Sequence, residues 1–419
     1  MKKSMFTHTV TMSNGDCILY NFYSGQAIIL DLFKMDYYDN FNLYDSSNPM
    51  IIKLKEKGFL VDYDELEELK KKVLEDQDGN GEVVLTICPT LRCNFACPYC
   101  FETTRSGRMS KDVQDDVVSF VDRLLNTGKV KVLNVMWYGG EPLLEPEIIG
   151  TLSKRIISLC DNENIKYRAG IITNGYHLTA DKAAFFEECK IRYAQITLDG
   201  PSSAIHDATR YLINGQGSFD RIIYNIKNFK GRTHLRIRCN IHKDNAKEYP
   251  KLQEMILNIA KKTGQEISIY PGHMDGHGEY EDMGVSISEY ANIYKENKSE
   301  VSLLYYKGLR CTYSKRLDFI VDEQGNLSKC LESVNKSDDI VGNVKGFSFD
   351  EEINNNELKA CESMAWPSDK ECLSCKLLPV CLGGCPRKRR YSNKQCSGYK
   401  YTLDDYVLAI GEKMISNGK

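Results

Sequence analysis

Cysteine is the residue type whose number and spacing point to chemistry in this chain. There are 16 cysteines among 419 residues, and the N-terminal MKKSMFTHTVTM lacks the apolar core of a secretion signal. In a reducing compartment such cysteines serve as metal ligands rather than disulfide partners. Their placement supports this: Cys93, Cys97 and Cys100 form one tight cluster, and Cys372, Cys375, Cys381, Cys385 and Cys396 form another. Thiolates that close together share a metal or a cluster. A zinc knuckle would need a fourth Cys or His beside the first set, and none follows within the motif.

Elements able to position these cysteines are legible around them. Between residues 82 and about 300, the β-branched runs VVLTI, VKVLNVMWY, AGIITN, YAQITLD, LRIRCNI and EISIY alternate with amphipathic helices. Val113, Val117, Val121 and Leu124 recur at helical spacing, as do Ile149, Leu152, Ile156 and Leu159. Six strand–helix units in series predict an α/β fold of parallel strands with right-handed crossovers, closing into a full or partial barrel. Its chemistry then sits at the C-terminal strand ends.

Residues 1–80 have a character of their own and predict a small winged-helix-like domain with a helical linker. HTVTM and CILYNF flank Asn14-Gly15, which supplies the positive φ values of a hairpin turn. A helical stretch over IIKLKEKGFLV and a charged helix, DELEELKKKVLED, follow. The run Asp76-Gln77-Asp78-Gly79-Asn80-Gly81 imitates an EF-hand loop, but position twelve is Ile87 rather than Glu, so a turn before a strand is expected. Residues 301–419 lose the strand–helix rhythm and predict a separate metal-bearing domain with irregular backbone. A net charge of -3 and a pI near 6.2 give no general attraction to nucleic acid or anionic membrane. No apolar run reaches the roughly 18 residues of a membrane span. A cytoplasmic protein without either partner is expected.

Cys93-Asn-Phe-Ala-Cys97-Pro-Tyr-Cys100 resembles the signature of the radical S-adenosylmethionine (SAM) superfamily, with Tyr99 as the aromatic before the third cysteine. The resemblance implies three thiolates on a [4Fe-4S] cluster whose fourth iron binds SAM. Cleavage of SAM then yields a 5'-deoxyadenosyl radical that abstracts a substrate hydrogen, so no catalytic side chain is assigned beyond the cluster-bound SAM. Trp137-Tyr138-Gly139-Gly140-Glu141-Pro142, at the end of the second strand, matches the family's Gly-Gly-Glu-Pro motif, whose backbone and Glu141 would receive the SAM amino group. Thr173-Asn174-Gly175 ends the third strand. Thr197-Leu-Asp199-Gly200-Pro201, His206-Asp207, Arg210 and Gly217-Ser218-Phe219 continue the family pattern. It assigns SAM contacts to Thr197 and Arg210, with Asn174, Asn240 and His273 as further pocket candidates. The loop Gly272-His273-Met274-Asp275-Gly276-His277 reads as a mobile cover over the substrate.

Cys311, Gly325, Cys330, the Cys372-x2-Cys375-x5-Cys381-x3-Cys385 run and Cys396 resemble the SPASM domain, with Gly383-Gly384 and Pro386 in register. The resemblance implies two auxiliary [4Fe-4S] clusters, three in all. Cys372, Cys375, Cys381 and Cys396 would hold the outer one, and Cys311, Cys330 and Cys385 the inner one. The inner set is one ligand short, because Tyr305 stands where some relatives have Cys. A substrate thiolate on the open iron and ligation by Cys361 both stay open; Cys361 also fits a packing role in a helix. Cys17, Cys88, Cys160, Cys189 and Cys239 read as small buried hydrophobes. Arg387 to Arg390 read as a solvated charged face.

Three functions compete. The first is a maturase for a ribosomally made precursor peptide, a RiPP maturase installing a thioether or carbon–carbon crosslink. Its N-terminal domain would capture the leader by strand addition, and a flavodoxin or ferredoxin would donate electrons. The second is an anaerobic sulfatase-maturing enzyme making formylglycine, although Leu331 follows Cys330 where that group has an Asp base. The third, a non-catalytic iron–sulfur electron-transfer protein, has no use for Gly139 to Glu141 and Arg210.

Overall fold

In a computed structural model, residues 1–102, 107–274, 283–296, 303–334, 336–349, 356–391 and 394–416 are described. The chain divides into two compact units: Met1–Gln77 with Ser286–Ser314 and Ser363–Lys419, and Asp78–Val285 with Lys315–Glu362.

The first unit is built on an antiparallel sheet of β1 (Thr7–Thr11), β2 (Cys17–Asn21) and β3 (Ala27–Leu30). The expected turn forms at Asn14-Gly15, where Gly15 has φ +87° and Asn14 Oδ1 accepts from Asp16 N at 3.1 Å. Strand alternation puts Leu19, Ile28 and Leu30 against Tyr38, Ile51 and Leu54 of the helices Leu32–Asp39 and Pro49–Glu56. Ile18, Tyr20 and Phe22 pack on the other side with Leu377, Val407 and Ile410. The N-terminal segment therefore shares its core with the C-terminal cysteine region instead of standing as a separate 1–80 domain.

The helix read over IIKLKEKGFLV stops at Glu56. Gly58, at φ +80°, turns the chain into Leu60–Val61, which pairs with Lys2–Lys3. The charged helix Glu65–Asp76 starts at Asp64, whose carboxylate accepts from Leu66 N and Glu67 N.

The second unit is built on a sheet of nine strands among the described residues. β4 (Glu82–Ile87), β5 (Val132–Trp137), β6 (Lys166–Thr173), β7 (Ile191–Thr197), β8 (His234–Ile241) and β9 (Ile267–His273) lie side by side in chain order, all parallel. Helices Lys111–Leu125 and Pro146–Asn162 connect the first three, burying the apolar faces read from their spacing. The sheet does not close, as in a partial barrel. It continues beyond β4 through β10 (Phe319–Val321), parallel to β4, and then β11 (Asn326–Ser328) and β12 (Gly342–Asn343), both antiparallel. This part was expected to be irregular; strands of two or three residues are too short to display a period. Lys329 is buried beside them, its ammonium donating to the carbonyls of Lys315, Arg316 and Asp318 and lying 4.4 Å from the Phe319 ring centroid.

Candidate active site

The cysteine loop follows β4 and is held by backbone pairing to the segment after Arg210: Ala96 N donates to Tyr211 O at 2.9 Å and Ile213 N to Asn94 O at 3.0 Å. The end of β5 presses against the same loop. Gly140 N donates to Thr90 O at 3.2 Å and Glu141 N to Arg92 O at 2.9 Å. A Cβ on Gly139 would stand 2.2 Å from Thr90 O, and one on Gly140 2.3 Å from Arg92 O, so neither position has room for a side chain.

These ends, with those of β6 to β9, open into one cleft of about 960 Å³. Cys93, Cys97, Tyr99, Cys100, Gly139, Gly140, Asn174, Thr197, Arg210, Asn240 and His273 all line it. Asn174 Nδ2 donates to Asn94 Oδ1 at 2.8 Å and to Cys93 Sγ at 3.9 Å. His273 Nε2 lies 2.8 Å from Val285 O. Asp275, Gly276 and His277 of the expected covering loop lie outside the described residues.

Glu141 stands behind the cleft. It is fully buried and is not among the residues lining the cleft. Oε1 accepts from Thr173 Oγ1 at 2.7 Å and Leu143 N at 2.9 Å, and Oε2 from Asn174 N at 2.7 Å. It is a strap joining the ends of β5 and β6, which fixes Asn174 from behind.

Several working residues carried no assigned role in the sequence. Asp199, fully buried after β7, receives the Tyr99 hydroxyl on Oδ2 and Asn240 N on Oδ1 at 2.8 Å. Arg210 Nη1 donates to the Tyr99 hydroxyl at 2.8 Å, its guanidinium lies 5.5 Å from the Phe95 ring centroid, and its buried Nε has no partner among the described residues. Asp199 N donates to His206 Nδ1 at 3.0 Å, so Nε2 carries the proton toward Ser218 Oγ at 3.1 Å, which in turn donates to Arg210 O at 2.7 Å. Glu102 also lines the cleft, and burial pushes its carboxyl up to about 7. Asp199 and His206 stood in the matched run; Glu102 had no signal beyond its nearness to Cys100.

Burial pushes the Cys93 thiol up to about 12 and those of Cys97 and Cys100 upward, so iron binding here must displace protons. Among the described residues no three His, Cys, Asp or Glu side chains converge as a single ion requires. The sulfurs line cavities instead, which suits a cluster wider than one ion. With three thiols and a buried guanidinium nitrogen left to bind an acceptor, the residues present fit a [4Fe-4S] cluster with SAM.

In the other unit, Cys372, Cys375, Cys381 and Cys396 line one small cavity together, the four sulfurs of the expected outer set. Cys311 stands before the turn Thr312–Ser314, and Cys385 precedes the helix Pro386–Arg390. Arg389 lies close enough to Cys311, Cys372, Cys381 and Cys385 to feel their charge and also donates to Met364 O, so the basic run is not wholly a solvated face. Cys330 belongs to the second unit and precedes Leu331 and Glu332, which line the cleft. Cys361 is buried in the helix Asn356–Ser363, its thiol 4.0 Å from Glu357 Oε1.

Residues 87–256 match the family model of the Radical SAM superfamily. These residues form a radical SAM domain, and the residues of its cleft fit SAM and a [4Fe-4S] cluster as cofactors. It is 23% identical over 327 residues, 71% of this chain and 86% of the relative, to a cysteine-type anaerobic sulfatase-maturating enzyme of Clostridium novyi. It is 21% identical to the radical SAM cyclopropyl synthase TigE of Paramaledivibacter caminithermalis over 46% of this chain and 44% of that one. The fold resembles anSMEcpe with bound AdoMet and Kp18Cys peptide (TM-score 0.65, 20% identity, 80% of this chain and 98% of that one). It also resembles Streptococcus suis SuiB bound to S-adenosylmethionine (TM-score 0.54, 16% identity, 95% and 98%). No described helix is long and apolar enough to cross a membrane.

Proposed function

We propose that this protein is a peptide maturase that removes hydrogen from a ribosomally made precursor and installs an intramolecular crosslink, a cysteine thioether. The observation that carries the radical chemistry is the gathering of Cys93, Cys97, Cys100, Asn174, Thr197, Arg210 and Asn240 into one cleft at the C-terminal strand ends. SAM and its [4Fe-4S] cluster, when bound, supply a carbon-centred radical able to take a hydrogen atom from the peptide. Cys93, Cys97 and Cys100 would hold the iron. Arg210, braced by Tyr99, keeps Nε for a carboxylate, while Asn174 and Asn240 offer amides to the rest of the ligand. Phe95 covers the guanidinium and keeps water from it.

The peptide substrate is supported by the relatives and neighbours, whose names include sulfatase-maturating enzymes, a complex with the Kp18Cys peptide and SuiB with precursor peptide SuiA. The SuiB match extends over 95% of this chain. The β1–β3 sheet would accept the leader as an added strand, and a flavodoxin or ferredoxin would supply electrons. Beyond the radical SAM cluster, the outer and inner cysteine sets would hold two auxiliary clusters. The three-cysteine inner set would leave an iron position that binds and deprotonates a substrate thiol. In the net reaction one C–H and one S–H would be exchanged for one C–S bond: the hydrogen atom would leave on the deoxyadenosyl group of cleaved SAM, the thiol proton would go to solvent, and the remaining electron would pass to an iron–sulfur cluster, so that the peptide loses two hydrogens.

A formylglycine-forming activity is the second reading. It is favoured by the Clostridium novyi relative and by Glu332, a carboxylate lining the cleft one position beyond Leu331. Mass spectrometry separates the two, using anaerobically reconstituted protein with SAM, a reductant and any short peptide found encoded beside its gene. Loss of two hydrogens with disappearance of an alkylatable thiol is the expected result. The same loss with every thiol still alkylatable makes the product a carbon–carbon crosslink, and an aldehyde at a former Cys or Ser establishes the second reading.

A further inference from the structure

Two lysines beside the outer cysteine set share one carboxylate, and one of them also donates to a sulfur. Lys400 Nζ is 2.7 Å from Glu371 Oε1 and donates to Cys396 Sγ at 3.7 Å. Lys394 Nζ is 3.0 Å from Glu371 Oε2 and 2.9 Å from Asp369 Oδ2, and it lines the cavity that Cys372 also lines. One carboxylate thus clamps an ammonium group on each of its oxygens. The clamp is built into the elements that carry the sulfurs. Asp369 caps the helix Lys370–Leu373, accepting from Glu371 N at 2.8 Å and Cys372 N at 3.4 Å. Lys394 and Lys400 stand on either side of Cys396 in the chain, and Glu371, Lys394 and Lys400 line the same cavity as the four cysteines.

We propose that Lys394 and Lys400, fixed by Glu371, are positioning residues that raise the reduction potential of a cluster held by Cys372, Cys375, Cys381 and Cys396. The proposal rests on the reading that these four cysteines hold a [4Fe-4S] cluster. Reduction adds one negative charge, and charge-assisted N–H···S contacts stabilise the more negative state. Free surface lysines spend their charge on water. Here Glu371 holds both ammonium groups beside the cysteine cavity, Lys400 at 3.7 Å from Cys396 Sγ, a separation far below the Debye length of about 8 Å. Lys400 donates to a sulfur directly, whereas the carboxylates accept from ammonium and backbone N–H groups, so the cation makes the direct contact with the sulfur set.

The test is a redox titration followed by electron paramagnetic resonance on anaerobically reconstituted full-length protein, with iron content measured beside it. Lys400→Met and Lys394→Met should each shift the reduced-to-oxidised ratio at a given potential about tenfold toward the oxidised form, about 59 mV downward for one electron. Glu371→Gln, which keeps both cations and removes their counter-charge, should move the potential upward, and Lys400→Arg should restore it. Opposite shifts from the lysine and glutamate variants are something a merely structural role does not produce. Unchanged potentials at full iron content overturn the proposal while leaving the cluster reading intact. Loss of outer-cluster iron in Lys400→Met, without an upward shift in Glu371→Gln, also overturns it. If Cys372→Ala with Cys375→Ala loses no iron relative to wild type, the cluster reading itself fails.

Discussion

Tyr99 and Asp199, a hundred residues apart in the chain, are joined by a hydrogen bond from the phenol to Oδ2. Arg210 donates to the same hydroxyl at 2.8 Å and Asn240 Nδ2 at 3.3 Å. The aromatic of the cysteine motif is therefore the joint between the loop that carries the sulfurs and the strand ends that face the ligand. Tyr99→Phe should keep the iron of the first cluster, since no sulfur is touched, but weaken SAM binding. Losing hydrogen bonds to charged partners costs about 1.5–3 kcal/mol, and calorimetric SAM titration of the reconstituted variant would check it.

Replacing Cys93, Cys97 and Cys100 by Ala should lower the iron content from about twelve to about eight per chain, on the reading of three four-iron clusters. SAM cleavage, followed as 5'-deoxyadenosine, should vanish. Undiminished cleavage would end the assignment of these sulfurs.

Gly140→Ala places a methyl group 2.3 Å from the Arg92 carbonyl oxygen and 2.5 Å from that of Leu91. Backbone must move, at a cost of about 1–3 kcal/mol, and what moves is the segment entering the cysteine loop. A lower melting temperature together with incomplete iron incorporation at the first site is expected. Wild-type values for both would show that the loop tolerates the displacement.

His206 is fully buried, and burial together with Arg210 holds its pKa well below the usual 6.5. The folded protein keeps the ring neutral while the unfolded chain protonates it near pH 6.5. Its contribution to stability is therefore present above that pH and is lost as pH falls below it, at up to about 1.4 kcal/mol per pH unit. Melting temperatures from pH 7.5 to 5 should fall more gently in His206→Gln than in wild type. Parallel slopes would contradict a neutral buried ring.

Deleting residues 1–75 removes Ile18, Tyr20 and Phe22 from the core they share with Leu377, Val407 and Ile410, and Phe6 and Leu69 from beside Cys372. The truncated protein should lose the outer-cluster iron while retaining SAM cleavage. A leader-binding role for β1–β3 is better tested by substitutions on the edge strand β1, at the exposed Thr9 and Thr11, with peptide turnover at low peptide concentration as the readout.

The chain itself determined the first cluster, because its three sulfurs lie within eight residues and their spacing is a property of one loop. It also determined the six-strand series, where β-branched runs and helical spacing are local signals, and the gathering of polar residues at strand ends that such a series entails. Only the tertiary structure decided what those residues touch. Glu141 reads as a ligand contact from its motif, and the structure shows the donors Thr173 Oγ1, Leu143 N and Asn174 N that hold it in place; what a carboxylate touches depends on what covers it, which no spacing records. The Tyr99–Asp199 joint, the pairing of β10 with β4 and the Glu371 clamp all join partners brought together by chain topology. The N-terminal segment is the plainest case: its strands were legible one by one, but the apolar face of Ile18, Tyr20 and Phe22 finds its cover nearly four hundred residues later, in a helix whose pattern does not name its partner.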